Sequence, residues 1–211
     1  MGRLAEAIKA NRQQRRQPHD CAGGGAVECE VLVGTIGFVP GADHCIAYNE
    51  TDLAEIEQGD VPICGVRFTV LTGDRVQMAK ALGASYASCT LDEVRAEVAL
   101  DSEFDVVVRL LDADMDETTV RALARLRPAA ISPAPQFPLS LRDAVNLQRL
   151  GMLTGIPLAI LCPIDVSSSD LEILRDAGLG CMLLQRGATS DDIAAVKQRI
   201  AGLPSRVPGE D

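Results

Sequence analysis

The sequence predicts an α/β fold, a compact (β/α)8 TIM-like barrel, with an open doubly wound parallel sheet as the runner-up. Three observations carry this expectation. The apolar runs are short and are apolar on both faces, which is how strands of a covered parallel sheet read. Between them lie helical patterns with start and stop signals, and strand–helix alternation implies parallel strands joined by right-handed crossovers. After an N-terminal head there are eight such runs in about 180 residues, the number a barrel needs, whereas a doubly wound sheet usually needs only about five or six.

Taken in order, residues 2–17 read as a weakly amphipathic helix, and "QPHDCAGGGA" (17–26) reads as a flexible linker because of its proline and three glycines. The expected organisation is therefore a basic head and linker over 1–26 and one barrel-like domain over 27–211. The strand candidates are "CEVLVGTIGF" (29–38), "HCIAY" (44–48), "PICGVRF" (62–68), "ASYASC" (84–89), "FDVVVRLL" (104–111), "AAIS" (129–132), "PLAILC" (157–162) and "CMLLQ" (181–185). "HCIAY" decides the count, since without it there are seven, and no helix is expected between the first two strands. Thr90 with Glu93 and Ser169 with Glu172 have capping-box spacing ahead of helical runs. Gly83 and Gly178 stand where a helix-terminating glycine belongs. The longest helix is expected from Ser140 to Gly155, and the last begins after Thr189 and stops at Gly202 and Pro204.

Bulk properties exclude several classes. The chain has 211 residues with 3% aromatics and no tryptophan, so its core must be built from small aliphatic side chains. Net charge is -10, yet residues 1–26 carry five basic side chains against Glu6 and Asp20. An acidic body repels phosphate backbones, which argues against nucleic-acid binding. No apolar stretch reaches the roughly 18 residues that a membrane span requires. The N-terminus has no apolar signal-peptide core, so a cytoplasmic protein is expected. Seven cysteines with no C-x-x-C pair give no metal spacing. Cys64, Cys89, Cys162 and Cys181 lie inside apolar runs and read as small buried hydrophobes.

The stretch "RLLDADMDET" (109–118) ends a strand on four acids, Asp112, Asp114, Asp116 and Glu117. Strand C-terminal ends are where either fold places its chemistry. Carboxylates at alternate positions could ligate Mg²⁺. A calcium loop is rejected, because Glu117 and Leu123 stand where Gly and Glu are needed. The competing reading is a helix start, with Asp114 and Glu117 as a capping box on the macrodipole. Asp112 lies on the strand side of the turn and is the candidate metal ligand and catalytic acid.

Three arginines sit at strand ends: Arg67, Arg109 and Arg186. By period two, Arg109 shares a face with Asp105 and Val107, opposite Phe104, Val106, Val108 and Leu110. An arginine in a strand covered on both faces must be paired or must face a polar cavity. These guanidinium groups are the candidate binders of a carboxylate or phosphate. The alternative is that each pairs with a loop acid.

The lysines are Lys9, Lys80 and Lys197, all in expected helices, so a Schiff-base aldolase, which needs a desolvated strand lysine, is not expected. His19 and His44 are the only histidines, too few for a metal cluster. No G-x-G-x-x-G or G-x-x-x-x-G-K occurs, and the region after the last strand lacks paired glycines for a phosphate.

"PICGVRFTVLTGDRVQMAKALGAS" (62–85) resembles the opening strand and helix of phosphoribosylanthranilate isomerases, through Ile63, Cys64, Gly65, Gly83 and Ala84. The resemblance implies that Cys64 is the catalytic base; Pro62 stands where that family has lysine. "IPLAILCPIDVSSSDLEILRDAGLGCMLLQ" (156–185) looks like the closing section of small aldolase-type and phosphate-binding barrels, which implies fold more than function.

Two function classes follow. One is a lyase or isomerase acting on a small anionic metabolite, with Arg67, Arg109 and Arg186 binding the anion, Asp112, Asp165 or Cys64 moving a proton, and Mg²⁺ at Asp112. The other is a non-catalytic scaffold in a protein assembly, either a homo-oligomer or a complex whose partner docks on the basic N-terminal helix.

Overall fold

In a computed structural model of the chain, eight parallel strands close on themselves. The structure describes residues 3–14, 31–48, 63–99, 104–110 and 116–204. The strands are β1 (Leu32–Ile36), β2 (His44–Ala47), β3 (Cys64–Arg67), β4 (Tyr86–Thr90), β5 (Asp105–Arg109), β6 (Ala130–Ser132), β7 (Leu158–Cys162) and β8 (Leu179–Leu184). The described helices are α1 (Arg3–Gln14), α2 (Gly73–Ala81), α3 (Ala96–Ala99), α4 (Glu117–Leu126), α5 (Leu141–Thr154), α6 (Ser168–Asp176) and α7 (Ser190–Ala201). All eight expected strands form, and the chain is a (β/α)8 barrel. The short run at His44 is a strand that pairs with both β1 and β3, and Leu32 of β1 lies opposite Cys181 of β8, which closes the ring. That closing pair excludes the open sheet.

Side chains alternate between two buried layers. Val33, Cys45, Cys64, Val106, Ile160 and Met182 face outward beneath helix residues such as Val76, Leu123, Leu174 and Ile193. Ile46, Ile63, Tyr86, Val107, Ala159 and Cys181 fill the barrel interior. Both layers are buried, which is why the strands read as apolar on both faces. The interior leaves little room. A Cβ on Gly65 would lie 2.1 Å from the ring of Tyr86.

The N-terminal helix packs its apolar face into the barrel. Leu4 and Ile8, one helical turn apart, are each 1% exposed and belong to the interior cluster. The backbone N–H of Ala5 donates to Asp105 Oδ2 at 2.9 Å, at the start of β5. Helix α1 therefore stoppers the N-terminal end of the barrel, and an acid at a strand start holds the amide of its first turn. The linker over 17–26 lies outside the described residues.

A polar chain crosses the interior above this stopper. His44 Nε2 lies 3.2 Å from the carbonyl of Met182, His44 Nδ1 lies 3.3 Å from Tyr86 Oη, and Tyr86 Oη donates to the carbonyl of Cys45 at 3.0 Å. A carbonyl only accepts, so Nε2 carries the proton, and the bare Nδ1 shares the single Tyr86 hydroxyl proton with the Cys45 carbonyl. Burial lowers the His44 pKa to about 4. The unfolded chain binds a proton there near pH 6.5 while the folded chain does not, so stability is full above that value and falls as pH drops toward 4. The slope reaches about 1.4 kcal/mol per pH unit. Urea unfolding at pH 7 and pH 5 should show a larger acid loss for the wild type than for His44→Gln; equal losses would refute the assignment.

Several expected helix ends form and others shift. Ser140 and Thr189 close capping boxes with Asp143 and Asp192, and Gly155 ends α5 at φ 62°. The N-cap of α4 is Asp116, whose side chain accepts from Thr119 N–H, in place of Asp114, which lies outside the described residues. The N-cap of α6 is Ser167, bonded to Asp170, in place of Ser169. After Thr90 the helix begins only at Ala96, although Glu93 accepts the Thr90 N–H at 2.7 Å.

Candidate functional site at the barrel mouth

The site starts from the alternation of β5. Asp105 and Val107 point inward, while Phe104, Val106, Val108 and Leu110 belong to the outer layer, as period two requires. Arg109, two residues beyond Val107, therefore reaches the interior face at the C-terminal end, level with Thr90 on β4 and Ser132 on β6. Its Nη2 donates to Glu93 Oε2 at 3.0 Å, and the same carboxylate oxygen accepts the N–H of Thr90 at 2.7 Å. These two partners hold the Glu93 carboxyl below its usual range, the Thr90 amide first and the Arg109 guanidinium after it. Arg109 Nε is buried and, among the described residues, has no hydrogen-bond partner. The side chain is held at one end and unsatisfied at another.

That guanidinium lines a cavity of about 650 Å³ at the carboxyl ends of the strands. The wall is built by Tyr48 after β2, Arg109 and Leu110 of β5, the stretch from Ser132 to Pro138 after β6, Pro163 to Ser167 after β7, and Gln185 after β8. The volume suits a small metabolite. Asp170 ties two of these loops together. Its Oδ1 accepts the N–H of Leu139 at 3.1 Å and its Oδ2 accepts from Ser167 Oγ at 2.8 Å. Asp165 stands on the same wall, exposed, with no partner among the described residues.

The sequence candidates divide as follows. Arg109 and Asp165 converge on the cavity. Arg67 is exposed beside it, its guanidinium carbon 5.1 Å from the centroid of the Tyr48 ring. Arg186 is exposed one residue beyond the lining Gln185. Asp112 lies outside the described residues.

Cys64 does not reach the mouth. Gly65 faces Tyr86 in the interior, so its neighbour Cys64 faces outward and is packed in the helix layer opposite Cys45. The catalytic role implied by the isomerase resemblance is corrected by that register: in this barrel the glycine of the pair, not the cysteine, points inward. The other described thiols are unsuited to nucleophilic work. Burial pushes Cys162 and Cys181 up, Cys89 is raised to about 11 by burial, and Cys45 is raised by its contact with Cys64. Among the described residues, no three His, Cys, Asp or Glu side chains converge to hold a metal ion.

Sequence reading missed Glu93, Tyr48, Asp170 and Gln185 at this site. Glu93 was assigned to a helix cap, and it does take the amide of Thr90; nothing local shows that it also takes Arg109, sixteen residues on. Tyr48 carried a signal, since it ends a strand run at the carboxyl side.

No protein-family model matches the chain, and no curated protein matches it in sequence. Solved structures do match in fold. A 3-keto-L-gulonate-6-phosphate decarboxylase from Vibrio cholerae superposes with a TM-score of 0.64 at 12% identity, over 82% of this chain and 98% of that one. A tryptophan synthase from M. tuberculosis gives 0.61 at 10% identity over 95% and 98%. The phosphoribosyl anthranilate isomerase from Thermococcus kodakaraensis gives 0.58 at 14% identity over 82% and 100%. Likeness at these identities establishes the fold alone: the chain is a small (β/α)8 barrel of the kind found in those enzymes.

Proposed function

We propose that the chain is a lyase or isomerase acting on a small anionic metabolite bound at the barrel mouth. The observation that carries this reading is the convergence of Arg109 and Asp165 on one cavity of about 650 Å³. The guanidinium of Arg109, which lines that cavity, supplies hydrogen bonds and positive charge for the anion. Asp165 is the acid that moves a proton, because it faces the cavity with no described partner to compete for it. Glu93 positions Arg109, and Arg67 extends the positive edge past Tyr48. The fold supports the reading, since barrel enzymes work at this end. Structural neighbours whose names include decarboxylases and an isomerase agree with it.

A pool of small keto and hydroxy acids incubated with the protein in D₂O should show enzyme-dependent exchange of one carbon-bound proton, read by NMR. Asp165→Asn should slow that exchange by about 10²-fold or more. Exchange that persists unchanged in Asp165→Asn would remove this residue from the chemistry, and the absence of exchange across the pool would remove the enzyme reading.

A further inference from the structure

We propose that the outward face of α5 is the contact between two copies of this chain. Helix α5 is apolar on two sides. Leu147 and Leu150 are buried against the barrel, while Leu141, Val145 and Met152 stand on the opposite side, 82%, 57% and 83% exposed. Spacings of four and seven residues set these three in one line along the helix, where an outer helix ordinarily meets water with polar side chains. A single exposed apolar residue is common on any surface. Among the described residues no other helix exposes more than one large hydrophobic. The hollow on this face shares no residue with the mouth cavity.

The shape of the face fits a second copy. Val145, Gln148, Arg149 and Met152 have the i, i+3, i+4, i+7 spacing of a hole that receives one apolar side chain from a facing helix. With Ala144 and Leu153 they line a hollow of about 400 Å³. Leu141 projects one turn before that hole. Two copies with α5 antiparallel, related by a two-fold axis near Val145, each insert Leu141 into the hole of the other, so knob and hole are covered at once. Leu141, Val145 and Met152 present about 400 Å² per copy, so the pair buries about 800 Å² from them alone, and Gln148 and the arginine stems beside them bring this toward the roughly 1,200 Å² at which specific interfaces begin. Charge permits the approach. Asp143 is the one acid of α5; two residues from Val145, it is turned to the other side of the helix and its carboxylate is bonded to Ser140. No carboxylate therefore interrupts this line, in a chain of net charge -10. The same register sets Arg149 of one copy near Arg142 of the other, an exposed like-charge pair that salt screens.

Sedimentation velocity of the full chain up to about 0.2 mM should show a dimer of the 22.4 kDa chain. It should be tighter in about 0.5 M NaCl than in about 0.05 M. Leu141→Glu and Met152→Glu should each weaken it at least tenfold, because each sets a carboxylate inside the apolar contact. Met78→Glu, at an exposed apolar position on α2, should leave it unchanged. Circular dichroism checks that each variant is folded. A chain that stays monomeric at that concentration overturns the proposal and leaves the face to a different protein or a lipid surface. A dimer that survives both α5 substitutions, or that Met78→Glu weakens equally, has its contact elsewhere and overturns it too. A dimer that salt loosens is held by ion pairs, and that result also overturns the apolar contact.

Discussion

Leu4→Ala combined with Ile8→Ala should destabilise the barrel by at least about 4 kcal/mol, since each large-to-small change at a buried site costs roughly 2–5 kcal/mol. Both side chains are 1% exposed and pack with Ile46, Ile63, Val107 and Ala130 at the N-terminal end of the interior. Removing them leaves a void among strands that cannot collapse, because the ring of paired strands sets its own diameter. The two sites share one cluster, so their costs need not add. Glu6→Ala, on the exposed side of the same helix, should shift stability by no more than about 0.5 kcal/mol. Urea midpoints for the three proteins decide the matter. A double variant as stable as the wild type would show that α1 does not seal the barrel.

Gly65→Ala is expected to cost about 3 kcal/mol or more, at the upper end for overpacking. The added Cβ would sit 2.1 to 2.5 Å from three atoms of the Tyr86 ring. That ring cannot step aside. It is 2% exposed, and its hydroxyl is tied to the Cys45 carbonyl and to His44. The pair variant Gly65→Ala, Tyr86→Leu should recover part of the loss relative to the sum of the two single changes, because the clash partner is gone. Additive losses across that cycle, or a cost below about 1 kcal/mol for Gly65→Ala alone, would show that the strand register differs from the one described. The same test bears on Cys64. Its outward direction follows from Gly65 pointing in, so a confirmed clash also places the thiol under the helices.

Much of the fold was legible because its signals are local. A strand covered on both faces is apolar at every position, and a helix end needs a capping side chain within three residues. Ser140, Thr189, Gly83, Gly155 and Gly178 act at the ends they were assigned. The misplaced caps at Asp116 and Ser167 lie two residues from the expected ones, where several Ser and Asp side chains compete for the same amides. The inward face of helix α1 was missed for another reason. Two apolar residues on a charged helix look insufficient for a core, until an open barrel end is there to receive them.

At the site the boundary is sharper. The face that Arg109 shares with Asp105 and Val107 was determined by sequence alone, because alternation along β5 needs no knowledge of the partner strands, whereas the ring decided that this face is the inner one. Only the closed ring decided that Glu93 meets Arg109 and that Asp165 shares its cavity. It also decided that Cys64 is turned away. Backbone geometry propagates a side chain's direction over a few residues, whereas which strand ends face one another depends on register around all eight strands, and register is settled by packing between segments far apart in the chain.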